Sequence, residues 1–134
     1  MNKEQVDLLG EYIKAGTSAI LIEEIPESII EKGATTIEAN CTKDELNGGY
    51  DNLEYKAPEW YNQLVESAKL HTPILVIKNI NKVQEDEQRK FLEILKYKKA
   101  YVNKLPENCR IFATYSNLED NPIDEEVYSF MVHI

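Results

Sequence analysis

Apolar residues along this chain follow two patterns. Three segments place them three and four positions apart, as on one face of a helix, which predicts helices over residues 4–15, 58–70 and 84–97. A further short helical turn is predicted from Pro26 to Lys32, because proline suits the first turn of a helix and Gly33 suits its end.

Between the helices lie short apolar or β-branched runs, which predict strands over residues 18–23, 34–39, 73–77, 110–114 and 130–134. The run 73–77 has no polar alternation, so it predicts a central parallel strand covered on both faces. Asparagine and glycine predict a loop over residues 47–52. Together, the alternation of strands and helices predicts one α/β domain over residues 1–134, three-layered and doubly wound around a mainly parallel sheet.

Composition narrows the possible functions. No run approaches the ~18 apolar residues of a membrane span, and the N-terminus does not resemble a signal peptide, so we expect a cytoplasmic protein with no membrane contact. The net charge of −9 repels phosphate backbones and disfavours direct nucleic-acid binding. Cys41 and Cys109 lack metal-ligand spacing and are interpreted as packed thiols, with a disulfide as the open alternative.

The second half of the chain contains an ordered series of pieces. The strand 73–77 is followed by Lys78-Asn79-Ile80-Asn81-Lys82 and by a helix, and the strand 110–114 leads into Tyr115-Ser116-Asn117. From Pro58 to Ile134, this order and spacing resemble AAA+ ATPases, most closely the MoxR-like group. The resemblance implies a P-loop NTPase fold in which 73–77 is the Walker B strand and 110–114 leads to sensor 1. Residues 1–57 match only in pattern.

The residues that such an ATPase needs for hydrolysis are replaced. After strand 18–23, where a glycine-rich phosphate loop with its lysine would stand, the chain has Glu23 and Glu24, then a proline. Lys78 and Asn79 occupy the positions of the Walker B carboxylates. A lysine cannot ligate Mg²⁺, and an asparagine amide is no general base.

Two later positions continue this trend. Asn117 either matches the sensor 1 asparagine or caps a turn, and Phe130 stands where the family carries an arginine. The sequence also ends where the family's helical lid would begin. These replacements predict a catalytically inactive domain, with no enzymatic activity, no cofactor and no metal site.

The resemblance therefore favours a protein-interaction or regulatory module. Since AAA+ cores assemble side by side, the expected partner is an intact AAA+ ATPase or another copy of the chain. Tyr97 and Tyr101, which flank two lysines, are candidates for a contact surface, because tyrosine gives large contact area at low entropic cost. The alternative is that these tyrosines half-cover the core.

Two other classes of function stay open. The acidic runs 85–87 and 124–126 would form an unrecognised magnesium or nucleotide site, although a solvated face is the favoured interpretation, and the helix dipole favours the charge of the first run. His71 and His133 show no triad spacing. Alternatively, the negative charge would mimic nucleic acid for a DNA-binding protein, which predicts competition with DNA and steep salt dependence.

Overall fold

The computed structural model describes residues 3–14 and 19–134. Within them the helices are α1 Lys3–Lys14, α2 Glu27–Ile30, α3 Lys43–Asn47, α4 Glu59–Ala68, α5 Glu85–Gln88, α6 Leu92–Tyr97 and α7 Glu125–Ser129. The strands are β1 Ile20–Ile22, β2 Thr35–Glu38, β3 Gly49–Asp51, β4 Glu54–Lys56, β5 Ile74–Lys78, β6 Lys99–Ala100, β7 Asn103–Lys104, β8 Arg110–Thr114 and β9 Val132–His133. Two short 3-10 helices span Ile80–Lys82 and Arg89–Phe91.

The main sheet has five parallel strands in the order β2-β5-β8-β1-β9. The mainly parallel sheet predicted from the sequence is confirmed. Strand β5 lies between β2 and β8, and its first four residues are buried, as the unbroken apolar run predicted. Two antiparallel hairpins, β3–β4 and β6–β7, stand outside this sheet.

Apolar side chains pack on both faces of the sheet, because successive residues of a strand point to opposite sides. On one face, Leu75 and Ile77 of β5 belong to the larger cluster, which includes residues of α4, α6 and α7. On the other face, Ile74 and Val76 pack in a smaller cluster with Leu9 of α1. Helices therefore cover both faces, which confirms the predicted layering. Within the described ranges, no helix is long and apolar enough to cross a membrane.

The predicted loop over 47–52 is wrong in part, because β3 and β4 form a hairpin there. Its turn places Asn52 at φ 51° and Leu53 at φ 66°. Two positive φ angles are typical of a turn that prefers asparagine followed by glycine, and leucine at the second position hid that signal. Gly48 precedes the hairpin at φ 83°, where a Cβ would collide with the backbone oxygen of Lys56.

The predicted helix over 84–97 is interrupted by the 3-10 helix Arg89–Phe91. The apolar spacing of this segment predicts Phe91, Leu92 and Leu95 on the inward side; Phe91 and Leu95 are buried, and Leu92 is half-buried against the larger cluster. Apolar spacing alone does not distinguish a 3-10 turn from an α-helical turn, because both bring residues three apart onto one side. The predicted last strand is shorter than 130–134, since Phe130 ends α7. The expected helix stop at Gly16 lies outside the described residues.

Packing at the centre of the sheet should dominate stability. Phe112 of β8 is fully buried between both neighbouring strands. We expect Phe112→Ala to lower the free energy of unfolding by about 3–5 kcal/mol, because it leaves a cavity that the sheet cannot close. Leu70→Ala is the matched control: Leu70 is 84% exposed, so its loss should change stability by less than about 0.5 kcal/mol. Urea denaturation followed by circular dichroism measures both, and equal midpoints for the two variants would refute this account of the core.

Candidate functional site

The carboxyl ends of three neighbouring strands define the candidate site. The register places Ile22 of β1 beside Thr114 of β8, and β5 ends next to them with Lys78. In open parallel sheets, ligands bind outside the carboxyl ends of the strands, where connections leave in opposite directions. After β1 the chain crosses to β2 at one edge, and after β8 it crosses to β9 at the other, so the point of reversal lies between β1 and β8.

Glu23 and Glu24 follow β1 at this edge, and both are exposed. The chain bends at Glu23 and Glu24. Pro26, which has no N–H, is the N-cap of α2, a single helical turn with no fully buried residue. A phosphate loop needs several backbone N–H groups at the start of a firmly packed helix. Here the same place presents carboxylates, including Glu27 in the first turn of α2, which repel an anion.

Lys78 and Asn79 follow β5, and the structure gives Asn79 a structural role. Lys78 is exposed at the end of the strand. Asn79 adopts the left-handed conformation at φ 60°, and its backbone N–H donates to Thr114 Oγ1 at 2.9 Å. That bond ties the ends of β5 and β8 together before the 3-10 helix begins.

Asn117 lies at the same edge, beyond β8, and forms a turn. It has φ 52°, its Nδ2 donates to Asp120 Oδ2 at 2.8 Å, and its backbone oxygen accepts from Asn121 N at 3.0 Å. Of the two roles considered from sequence, the described contacts are those of turn capping. Phe130 ends α7 and is half-buried against the larger cluster, with Lys96 Nζ 6.0 Å from its ring centroid.

Asn81 is a buried amide that sequence reasoning missed. It is 3% exposed, and its Nδ2 donates to the backbone oxygens of Ser116 at 2.5 Å and Asn121 at 2.8 Å. Its Oδ1 accepts from Ser116 N at 3.2 Å. Asn81 therefore fixes the segment that follows β8, and its place after an apolar isoleucine gave little signal in the sequence.

Gln88 is a second buried amide and acts on the same segment. Its Nε2 donates to the backbone oxygens of Val83 at 3.1 Å and Pro122 at 3.2 Å, and its Oε1 accepts from Asp124 N at 2.8 Å. The sequence did contain a signal, because Gln88 lies three residues before the inward-facing Phe91. With Asn81, it holds the segment between β8 and α7 through hydrogen bonds to backbone groups.

His133 joins two tyrosines beside Glu23, an arrangement that the sequence did not show. Its Nε2 lies 2.8 Å from Tyr115 Oη, and its Nδ1 lies 3.0 Å from Tyr128 Oη. Burial raises the pKa of Tyr115, and the nearby Glu23 and Tyr128 add to the rise, so its phenol stays neutral. His71 is elsewhere, with Nδ1 2.9 Å from Thr72 O. The rings of Tyr115, Tyr128 and His133 thus form a small aromatic group near the carboxyl ends of β8 and β9.

Glu85 and Asp86 of one acidic run and Asp124 of the other line the same cavity, of about 510 Å³. Glu85, Asp86 and Glu87 form the first turn of α5, where the helix dipole favours negative charge. Arg89 bridges the other run, with Nη1 3.2 Å from Asp124 Oδ1 and Nη2 2.7 Å from Glu126 Oε1. In the part of the chain that the structure describes, no three acidic, histidine or cysteine side chains are grouped to hold a metal ion.

Tyr101 belongs to an exposed aromatic cluster, whereas Tyr97 lies apart from it on α6. The Oη atoms of Tyr101 and Tyr50 are 3.0 Å apart, and Tyr55 stacks near both, with ring centroids at 5.7 Å and 5.4 Å. Asn103 Nδ2 donates to Tyr55 Oη at 2.7 Å, which joins the two hairpins. Tyr50 is 67% exposed, Tyr101 45% and Tyr97 60%, so all three present ring surface to solvent.

Both cysteines are free thiols and half-buried. Burial raises the pKa of Cys109 to about 11, and burial also raises that of Cys41. Neither thiol is therefore activated as a nucleophile near neutral pH.

No protein-family model matches the sequence, and no curated protein matches it either. Any relationship to AAA+ ATPases therefore depends on the residues and their placement alone.

The ion pair between Arg89 and Asp124 leads to a prediction about how stability depends on pH. A hydrogen bond from Val127 N, with the Arg89 guanidinium, lowers the pKa of Asp124 in the folded protein. Because this pKa is lower in the folded state than in the unfolded state, the ionised carboxylate stabilises the fold at any pH above the ordinary pKa of an aspartate. This stabilisation is lost as the pH falls through the pKa of the folded state. Asp124→Asn keeps the helix cap but removes the charge. We expect it to be less stable than the wild type at neutral pH, with the difference vanishing in acid.

Thermal unfolding across a pH series measures this difference. Glu125→Gln is the matched control, because it removes one charge from the same helical turn while the ion pairs of Arg89 with Asp124 and Glu126 stay intact. An equal pH dependence for the two variants would show that the Arg89 pair contributes nothing specific.

Proposed function

We propose that this chain is a catalytically inactive, AAA+-like domain that works as a protein-interaction module. The placement of three strands supports the relationship. In an AAA+ core, the strands before the phosphate loop, the magnesium carboxylates and sensor 1 must end side by side around one nucleotide. Strands β1, β5 and β8, which the resemblance matches to those three roles, end at one edge of the sheet with β8 in the middle.

The observation that carries the inactive assignment is the chemistry of that edge. Phosphoryl transfer requires positioned donors and cations around the phosphates. Glu23, Glu24 and Glu27 bring negative charge to the place of the phosphate loop, and Pro26 removes a backbone donor. Lys78 is not a magnesium ligand, and the backbone of Asn79 is committed to Thr114. An electrostatic penalty therefore opposes a bound triphosphate from several directions.

The interaction surface is proposed at the exposed tyrosines. Tyr50, Tyr97 and Tyr101 present aromatic area next to lysines of α6 and β6, and Lys96 Nζ lies 5.2 Å from the ring centroid of Tyr97. Tyrosine is enriched at interface hot spots because its ring buries area with few rotamers to fix. The proposed partner is an intact AAA+ ATPase or a second copy of this chain. A cytoplasmic location suits this role and the two free thiols.

An enzymatic alternative has weaker support. A magnesium site in the acidic runs would need carboxylates free to coordinate, whereas Asp124 and Glu126 are engaged by Arg89. No contact in the described ranges favours the nucleic-acid mimic over a protein module.

The proposal predicts that association depends on the tyrosines. Tagged wild-type protein should recover an AAA+ ATPase from the cells that make it, or should self-associate in sedimentation velocity. Tyr97→Ser with Tyr101→Ser should weaken that association by at least about 1 kcal/mol for each tyrosine, roughly fivefold each.

Leu70→Ser is the control, because it removes a large, highly exposed apolar side chain just beyond the end of α4. Its association should equal that of the wild type. A wild-type chain that stays monomeric and recovers no AAA+ ATPase would overturn the proposed partner.

A further inference from the structure

Strand β2 leaves one side of its backbone open. The N–H of Ala39 donates to Lys78 O at 3.1 Å, so alternate residues of β2 point their backbone groups toward β5. The backbone N–H and C=O groups of Thr36 and Glu38 therefore point away from the sheet. Glu38 O accepts a hydrogen bond from Cys41 N at 3.0 Å. The N–H of Glu38 and the N–H and C=O of Thr36 are therefore the backbone groups available on this side to pair with another strand. No other described strand pairs with that side.

A cleft of about 850 Å³ runs along this open edge. Thr36, Ile37 and Glu38 form one wall, and α3, the start of β3 and the beginning of α4 form the other. Natural proteins usually blunt or cover a sheet edge, because unpaired N–H and C=O groups are a template for another strand. Here the edge opens into a cavity of the size that holds ligands.

Negative charge surrounds the cleft. The carboxylates of Glu38, Asp44, Glu45 and Glu59 line it. Lys56 also lines the cleft, and its Nζ lies 3.3 Å from Glu54 Oε1. Lys90 Nζ is 2.6 Å from Cys41 O and 4.0 Å from Glu87 Oε2. Hydrogen bonds from the backbone and side chain of Thr42 lower the pKa of Glu45, which keeps that carboxylate ionised.

We propose that the open edge of β2 binds an extended, lysine- or arginine-rich segment of a partner protein as an added parallel or antiparallel strand. The backbone of Thr36 and Glu38 supplies the hydrogen bonds, and the surrounding carboxylates select basic side chains. The charge also argues against an acidic or neutral occupant. The cleft adjoins the cavity lined by Tyr50 and Tyr101, with which it shares Asp44 and Lys56. The proposal does not depend on any relationship to AAA+ ATPases.

The probe is a fluorescein-labelled octapeptide of alternating lysine and threonine, titrated with the full chain by fluorescence polarisation. We expect saturable binding that weakens with added salt, and at least tenfold weaker binding of the same peptide with glutamate in place of lysine. Equal binding of both peptides, or no binding of the lysine peptide, overturns the proposal.

Charge variants of the protein test the cleft itself. Glu38→Gln with Asp44→Asn should weaken the lysine peptide by about fivefold, as expected for two exposed charge pairs. The matched control, Glu107→Gln with Glu119→Gln, removes the same charge from exposed positions outside the cleft and should change binding by less than about twofold. Equal losses would mean that only net charge matters, which contradicts a defined site.

Two further measurements test strand addition without altering the protein's fold. Two versions of the lysine peptide carry N-methyl groups on alternate backbone nitrogens, one version on the odd residues and the other on the even residues, so each has one hydrogen-bonding edge blocked. At least one version should bind the chain tenfold or more weakly than the unmodified peptide. In amide hydrogen exchange, the N–H groups of Thr36 and Glu38 should become protected when the unmodified peptide binds. Full binding by both methylated peptides, or protection confined to the tyrosines, would rule out pairing with β2.

Discussion

Parallel pairing of β5 with both β2 and β8 is the interaction on which the rest of the structure depends. Parallel neighbours cannot be joined by a tight turn, so each connection crosses a face of the sheet. The helices in those connections then cover both faces, which is why Ile74 and Leu75 are buried on opposite sides of one strand. The same pairing brings all the carboxyl ends to one edge. Fold and candidate site therefore share a single geometric cause.

Polar contacts at that edge are used for structure. Burying an amide without partners costs roughly 1–3 kcal/mol, so Asn81 and Gln88 are stable only because backbone groups of the segment after β8 satisfy them. Asn79 adds a bond between the ends of β5 and β8. Each of these bonds holds a loop or a strand end in place.

The sequence predicted the elements that depend on apolar patterning. The run 73–77 indicated a central strand, and the spacing of Phe91 and Leu95 indicated the inward side of a helix. It could not predict features that depend on tertiary contacts. Leu53 at positive φ hid a hairpin turn, and the pairing of His133 with Tyr115 joins residues far apart in the chain. The roles that the resemblance assigns to Glu23, Lys78 and Phe130 stay predictions, because the positions of these residues in the fold do not show which family the chain descends from.

The most direct test of the account is a calorimetric titration of the chain with Mg-ATP and with a slowly hydrolysed analogue. The account predicts no heat of binding at a protein concentration of ~100 μM, which excludes dissociation constants much tighter than ~1 mM, or about −4 kcal/mol. Micromolar binding would contradict it. Residues 23–32 would then have to form a nucleotide site despite their carboxylates, and the carboxyl edge of the sheet would be a candidate catalytic site.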